Sequence, residues 1–183
     1  MLGYTKRESS YKKRQDHGLL AKLAKVPYSI VMYYTRTYQS PIGPLYLTSC
    51  EKAITMLSFH GSQTEQDAVH PLLDVAFQQL DEYFAGTRKV FTLPLAIEGT
   101  RFQKQVYAAL LDIGYAKTAS YAEIASAIGN PKAYRAVGMA NNRNKIALLI
   151  PCHRVIGSNG SLTGYEGGLE KKAWLLDFER SHG

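Results

Sequence analysis

The sequence predicts an α+β protein: a small N-terminal antiparallel sheet plus one helix, followed by a helical C-terminal domain that carries a helix-turn-helix. Three observations predict it. Three short runs rich in Tyr, Thr, Leu and Val fall at hairpin spacing between Ile30 and Phe59. Apolar residues then recur at spacings of four, three and four, the period of a helix. Beyond Gly99 the patterning is helical, and Gly129 separates two helical stretches where a tight turn is required.

The elements follow in order. Ile30 to Gln39, Leu45 to Ser49 and Ala53 to Phe59 read as strands, with Ser40-Pro41-Ile42-Gly43-Pro44 as the first turn. Leu73, Phe77, Leu80 and Phe84 form the stripe of an amphipathic helix, and Gly86 stops it. Thr87 to Gly99, with Pro94, reads as an extended linker. Phe102, Val106, Leu110 and Ile113 mark the next helix. Ser120 and Glu123 make a capping box that opens another, running through Ile128. Asn130 and Pro131 read as N-cap and first residue of a helix from Pro131 to Asn141. Ile146 to Ile150 is a short buried run, and Gly157 to Gly168, with five glycines, is a loop. A last helix carries Leu169, Ala173 and Leu176 on one face. This divides the chain into a basic segment 1–31, an N-terminal α/β domain 32–98 and a C-terminal domain 99–183.

Composition narrows the function classes. With 183 residues, 45% apolar and 20% charged, the chain can bury a core, which excludes a disordered chain, a collagen or a coiled-coil rod. No apolar run reaches bilayer length, so no membrane role is expected. The two cysteines, Cys50 and Cys152, are too few for a disulfide scaffold or a four-Cys zinc site; free thiols and a cytoplasmic location are expected. The net charge is +7, and residues 1–31 hold seven basic against two acidic residues. Most of the excess therefore sits in one segment. It reads as a solvated tail, or as sequence upstream of a true start at Met32, better than as a targeting signal. Basic charge favours nucleic acid but does not by itself specify it.

One stretch carries chemistry. Cys152 stands where a buried run meets Pro151 and a polar loop, and His153 follows it. The nucleophilic form of cysteine is the thiolate. His153 can accept the proton, and Arg154 can add positive field at the sulfur. Taken alone, such a pair reads more readily as an inert thiol beside a structural histidine. Glu179 lies three residues after Leu176, on the inward stripe, where a carboxylate needs a partner. His153 is one candidate; solvent at the helix end is the other.

The segments Ile150-Pro-Cys-His-Arg-Val-Ile through Gly168 and Ser120-Tyr-Ala-Glu through Gly138 resemble the O6-alkylguanine-DNA alkyltransferase family, over roughly Gly99 to Glu179. From about Tyr33 the N-terminal part is similar to the bacterial members, including the Ser40-to-Leu47 turn. The resemblance implies direct repair of double-stranded DNA by irreversible, single-turnover transfer of a methyl or other alkyl group from O6-alkylguanine to the protein's own cysteine. O4-alkylthymine is a further candidate lesion. It implies no cofactor, no metal and a monomer. It assigns Cys152 as acceptor, His153 as base through a bridging water, Glu179 as the group that orients His153, and Asn144 as a brace for the turn before the cysteine. Tyr121 would assist the leaving guanine, and Arg135 would fill the gap left by the extruded base. Tyr165 would wall the pocket, the carbonyls of Cys152 and Val155 would read the exocyclic amine, and Glu166 stands where a serine donor is common. Tyr107, Gly114, Ala116 and Tyr134 depart from the family pattern and bear on DNA fit. Two other readings use the same residues: a lesion-binding helix-turn-helix protein without transfer, and a Cys-His hydrolase.

Overall fold

The computed structural model describes residues 31–61 and 68–183; the basic segment lies outside them, apart from Val31. Strands β1 (Tyr34–Ser40), β2 (Gly43–Ser49) and β3 (Ile54–Ser58) form an antiparallel sheet in that order. The first turn is tighter than the sequence suggests. Gly43 pairs with Ser40 and already belongs to β2, because its φ of +100° lets the chain reverse over Pro41 and Ile42 alone. Leu45, Leu47, Ile54 and Leu57 are fully buried and make the inner face of the sheet.

Helix α1 (Pro71–Phe84) packs on that face through Leu73, Ala76, Leu80 and Tyr83. His70 caps it with a side-chain nitrogen that accepts from the Leu72 N–H at 3.3 Å, and proline at the first turn loses no hydrogen bond. The 87–99 segment is more than a linker. The Ile54 N–H donates to the Pro94 carbonyl and the Ala96 N–H to the Ile54 carbonyl, both at 2.8 Å, so the segment covers the free edge of β3. Pro94 suits this place, since an edge needs its carbonyl and not an N–H.

Helix α2 (Arg101–Leu111) opens on a capping box between Thr100 and Gln103. After β4 (Ala119–Ser120) comes α3 (Tyr121–Ala127), opened by the Ser120–Glu123 box. It ends at Gly129, φ +74°, with the Gly129 N–H on the Ser126 carbonyl and the Asn130 N–H on the Ala125 carbonyl. That closure corrects the expected start of the next helix. Asn130 is committed to ending α3, and its carbonyl accepts from Ala133 to close a turn. Helix α4 is therefore Tyr134–Asn142, with Ala133 at an N-cap that makes no side-chain hydrogen bond. Helices α2, α3 and α4 pack on one another, and α3-turn-α4 is the expected helix-turn-helix.

The buried run after α4 is a bend and not a strand. Leu148 has φ +67°, while the Leu57 N–H donates to the Lys145 carbonyl and the Ala147 N–H to the Leu57 carbonyl. This run thus hangs on β3, and the helical half shares a core with the sheet. A 3-10 turn at Cys152–Arg154 leads into β5 (Val155–Ile156), which pairs in parallel with β4, a pairing the patterning does not reveal. The last helix, α5 (Leu169–Ser181), buries Lys172, Leu175 and Glu179. The buried stripe thus runs through Lys172 and Leu175, one residue before the expected Ala173 and Leu176, and Leu169 is 47% exposed. Residues 31–183 form one compact unit. Among the described residues no helix is long and apolar enough to cross a membrane.

Candidate functional site

Cys152 is buried, 4% exposed, at the head of the 3-10 turn. Its N–H donates to the Ile150 carbonyl at 2.7 Å. Asn144 fixes the same bend. Its amide donates to the Ile150 carbonyl at 2.9 Å and to the Cys152 sulfur at 3.2 Å, and its Oδ1 accepts from the Ile146 N–H at 3.0 Å. Burial pushes the thiol up to about 11, against the pull of the Asn144 amide and the positive charge of Lys172. Glu166 acts with burial. At neutral pH the resting group is therefore a thiol.

His153 and Glu179 meet as the sequence allows, both fully buried, with Nε2 and Oε1 2.9 Å apart. The carboxylate is saturated. Oε1 also accepts from the Tyr83 hydroxyl at 2.8 Å and from Arg154 Nη2 at 2.9 Å; Oε2 accepts from Arg154 Nε at 2.9 Å and the Ala116 N–H at 3.1 Å. Burial alone would raise this carboxyl, but the bonds and charge of His153 and Arg154 outweigh it and hold it at about 2. Burial also lowers His153, which outweighs the stabilising carboxylate and leaves the ring neutral. With Nε2 donating to an ionised carboxylate, Nδ1 is the free acceptor, and it has no hydrogen-bond partner.

Arg154 corrects one expectation. Its guanidinium is engaged by Glu179 and by the Ile113 carbonyl at 2.6 Å, and does not supply the field at the thiol. Lys172 does. It is fully buried on α5, and its Nζ donates to the Thr163 carbonyl at 2.7 Å. Desolvation lowers its ammonium to about 8, partly opposed by Cys152. Sequence reasoning missed Lys172, although the helical spacing that turned Glu179 inward would have found it had the stripe been phased on Leu175.

The Gly-rich loop contributes the next wall. Tyr165 packs edge-on against Phe59 and His153, at centroid distances of 5.6 and 6.4 Å, and its buried hydroxyl has no partner. Glu166 binds the Ser58 hydroxyl through its carboxylate, and its carbonyl lies 3.0 Å from His60 Nε2, so β3 clasps the loop. Val155 is buried, and its N–H returns to the Cys152 carbonyl, which Asn141 also reaches at 3.4 Å. A crevice of about 620 Å³ runs beside this cluster, lined by Asn144, Ile150, Ser58, Glu166, Gln103 and Tyr107 among others.

Tyr121 and Arg135 lie on a separate, shallower groove of about 300 Å³, with Tyr134, Gly138, Asn142, Thr163 and Gly164. The Tyr121 hydroxyl donates to the Thr163 carbonyl and accepts from the Thr163 hydroxyl, both at 3.2 Å. Thr163 is the link between the two places, since its carbonyl also holds Lys172. Among the described residues no group of three or more His, Cys, Asp or Glu is placed to hold a metal ion.

Fold and site define a helix-turn-helix protein with a thiol set beside a buried His-Glu-Arg cluster. Two family descriptions match the chain: the 6-O-methylguanine DNA methyltransferase DNA binding domain over residues 101–181, and the ribonuclease-like domain of the same family over residues 32–97. The methylated-DNA–protein-cysteine methyltransferase of Methanosarcina acetivorans is 48% identical over 156 residues, covering 82% of this chain and 99% of its own. The constitutive methylated-DNA–protein-cysteine methyltransferase of Bacillus subtilis is 49% identical over 158 residues, covering 81% and 95%. The crystal structure of the Mycobacterium tuberculosis O6-methylguanine methyltransferase aligns with TM-score 0.76 at 45% identity, covering 83% of this chain and 95% of that one. That of the Mycobacterium tuberculosis OGT in complex with DNA aligns with TM-score 0.75 at 46% identity, covering 82% and 94%. The chain belongs to the 6-O-methylguanine DNA methyltransferase family.

Proposed function

We propose that this protein repairs DNA by taking the alkyl group of O6-alkylguanine onto Cys152, once per molecule. The observation that carries the reading is the position of Cys152 beside a neutral His153, itself held by the saturated Glu179 carboxylate. DNA is the partner, received on the helix-turn-helix. An atom on a base edge cannot be attacked inside the stack, so the nucleotide must leave it. Arg135, exposed on α4, fills the gap. Tyr121 borders the groove through which the base passes toward Tyr165, and the carbonyls of Cys152 and Val155 accept from its exocyclic amine.

The thiol proton passes through a water to His153 Nδ1, the ring's free acceptor. Glu179 stabilises the imidazolium, and Lys172 favours the thiolate. Sulfur attacks the alkyl carbon in line; the C–S bond forms as the C–O6 bond breaks, and the pair stays on guanine. Tyr121 hands guanine a proton, replaced from solvent, and His153 returns its own to solvent. An alkyl thioether does not readily give up its alkyl group, so the step ends the protein's activity. Asn144 keeps the sulfur aimed. The acceptor, base and orienting groups lie in 99–183, while 32–98 supports them through Tyr83 and Ser58. The protein acts as a monomer in the cytoplasm, where thiols stay reduced.

Intact-mass analysis after incubation with a duplex carrying O6-methylguanine tests this. One methyl in place of one hydrogen, mapped to Cys152, is expected. An unchanged mass with tight lesion binding would make it a sensor, and steady turnover of esters or amides would make it a hydrolase.

A further inference from the structure

We propose that Tyr134 is a positioning residue for Arg135, holding its guanidinium at the mouth of the groove so that it enters the base stack already oriented. The inference rests on the reading of Arg135 as the residue that replaces the extruded base. Tyr134 is the first residue of α4, and its ring is 46% exposed, so core packing does not account for it. The Arg135 guanidinium carbon lies 5.7 Å from the ring centroid, within the range of a cation–π contact. Both residues line the groove that also holds Tyr121 and Gly138. Among the described residues no carboxylate forms an ion pair with Arg135, and its guanidinium rests against the Tyr134 ring.

A free arginine samples many rotamers, and inserting it into DNA requires freezing them. A ring beside it removes part of that freedom before DNA arrives. The contact involves no hydrogen bond and no counter-ion that insertion would displace, so the guanidinium keeps the ring beside it as it enters the stack, and the restriction counts toward the inserted state. An exposed contact of this kind is worth a factor of about two to five in the population of the held conformer.

The test is single-turnover transfer from duplex O6-methylguanine and from free O6-benzylguanine, read as the ratio of the two rates. Tyr134→Leu should lower that ratio about two- to fivefold, while Tyr134→Phe keeps the wild-type value. In an Arg135→Ala background Tyr134→Leu should have no further effect. A further loss in that background would mean that the ring acts on DNA by itself and would overturn the proposal. So would equal losses on duplex and free base, or an unchanged ratio in Tyr134→Leu. Failure of the wild-type protein to transfer from either substrate would instead overturn the proposed function, which keeps the two failures apart.

Discussion

Replacing Glu179 by Gln keeps the shape of the side chain and removes its charge. The consequence can be worked from the five donors on its two oxygens. Arg154, 7% exposed, would lose its counter-ion while keeping its burial. Breaking a buried pair from one side costs about 3–5 kcal/mol. A second route gives a similar figure. A carboxyl held at about 2 in the folded protein, against an ordinary 4.5, favours the ionised fold by about 3 kcal/mol. That stabilisation is complete above the unfolded value and is lost as pH falls toward the folded one, because the unfolded chain takes up the proton first. The gap in unfolding free energy between wild type and Glu179→Gln should therefore be about 3 kcal/mol at pH 7 and shrink to about 1 kcal/mol at pH 3. Urea unfolding at pH 7, 5, 4 and 3 measures it directly, and other carboxylates cancel in the difference. A gap below about 1 kcal/mol at pH 7, or one that does not narrow on acidification, would refute the picture of a charged, saturated Glu179.

Other expectations are open to direct measurement. Cys152→Ala should abolish alkyl uptake, whereas Cys50→Ala, which removes a sulfur that donates to the Ala53 carbonyl at 3.5 Å, should retain it; peptide mapping decides. Lys172→Met should slow transfer about tenfold, the equivalent of one pKa unit at the thiol. In wild type the rise of rate with pH should flatten near 8 as the ammonium loses its charge, and a Lys172→Met profile with the same break would assign it elsewhere. Ala116 has φ +58°, so Ala116→Gly should stabilise the fold by about 1 kcal/mol, seen as a raised Tm; a lower Tm would show that no strain resides there. Starting the chain at Met32 should preserve the transfer rate at saturating DNA and flatten the salt dependence of binding to plain duplex, because the lost lysines and arginines no longer release counterions.

The sequence is legible where one local rule decides. Ser120 and Glu123 cap α3 because the box needs nothing beyond four residues, and Gly129 ends it because only a left-handed residue closes that turn. Asn130-Pro131 misleads because two local rules compete for one residue: as a cap it would open α4, but its N–H is already used to close α3. The 87–99 segment reads as a linker because its pairing partner, Ile54, is some forty residues away and leaves no local mark. The site divides in the same manner. Cys152 and His153 are adjacent in sequence and carry their chemistry openly. Arg154 is adjacent too, yet Glu179, reached only through the fold, takes its charge. Lys172 serves the sulfur from another helix, and a lysine on a helix reads by default as a solvated residue.

The Glu179 carboxylate gathers donors from α1, from the turn at Ala116 and from the cysteine turn, across sequence separations of 25 to 96 residues. A chain made from its N-terminus on a ribosome meets these donors long before it meets their acceptor. Until α5 has emerged, Arg154 has no counter-ion, His153 has no fixed tautomer, and Lys172 has not been made. The reactive centre therefore closes only after the sheet and the helix-turn-helix have been made. Cys152 thus gains its full set of partners only when the core around it is complete.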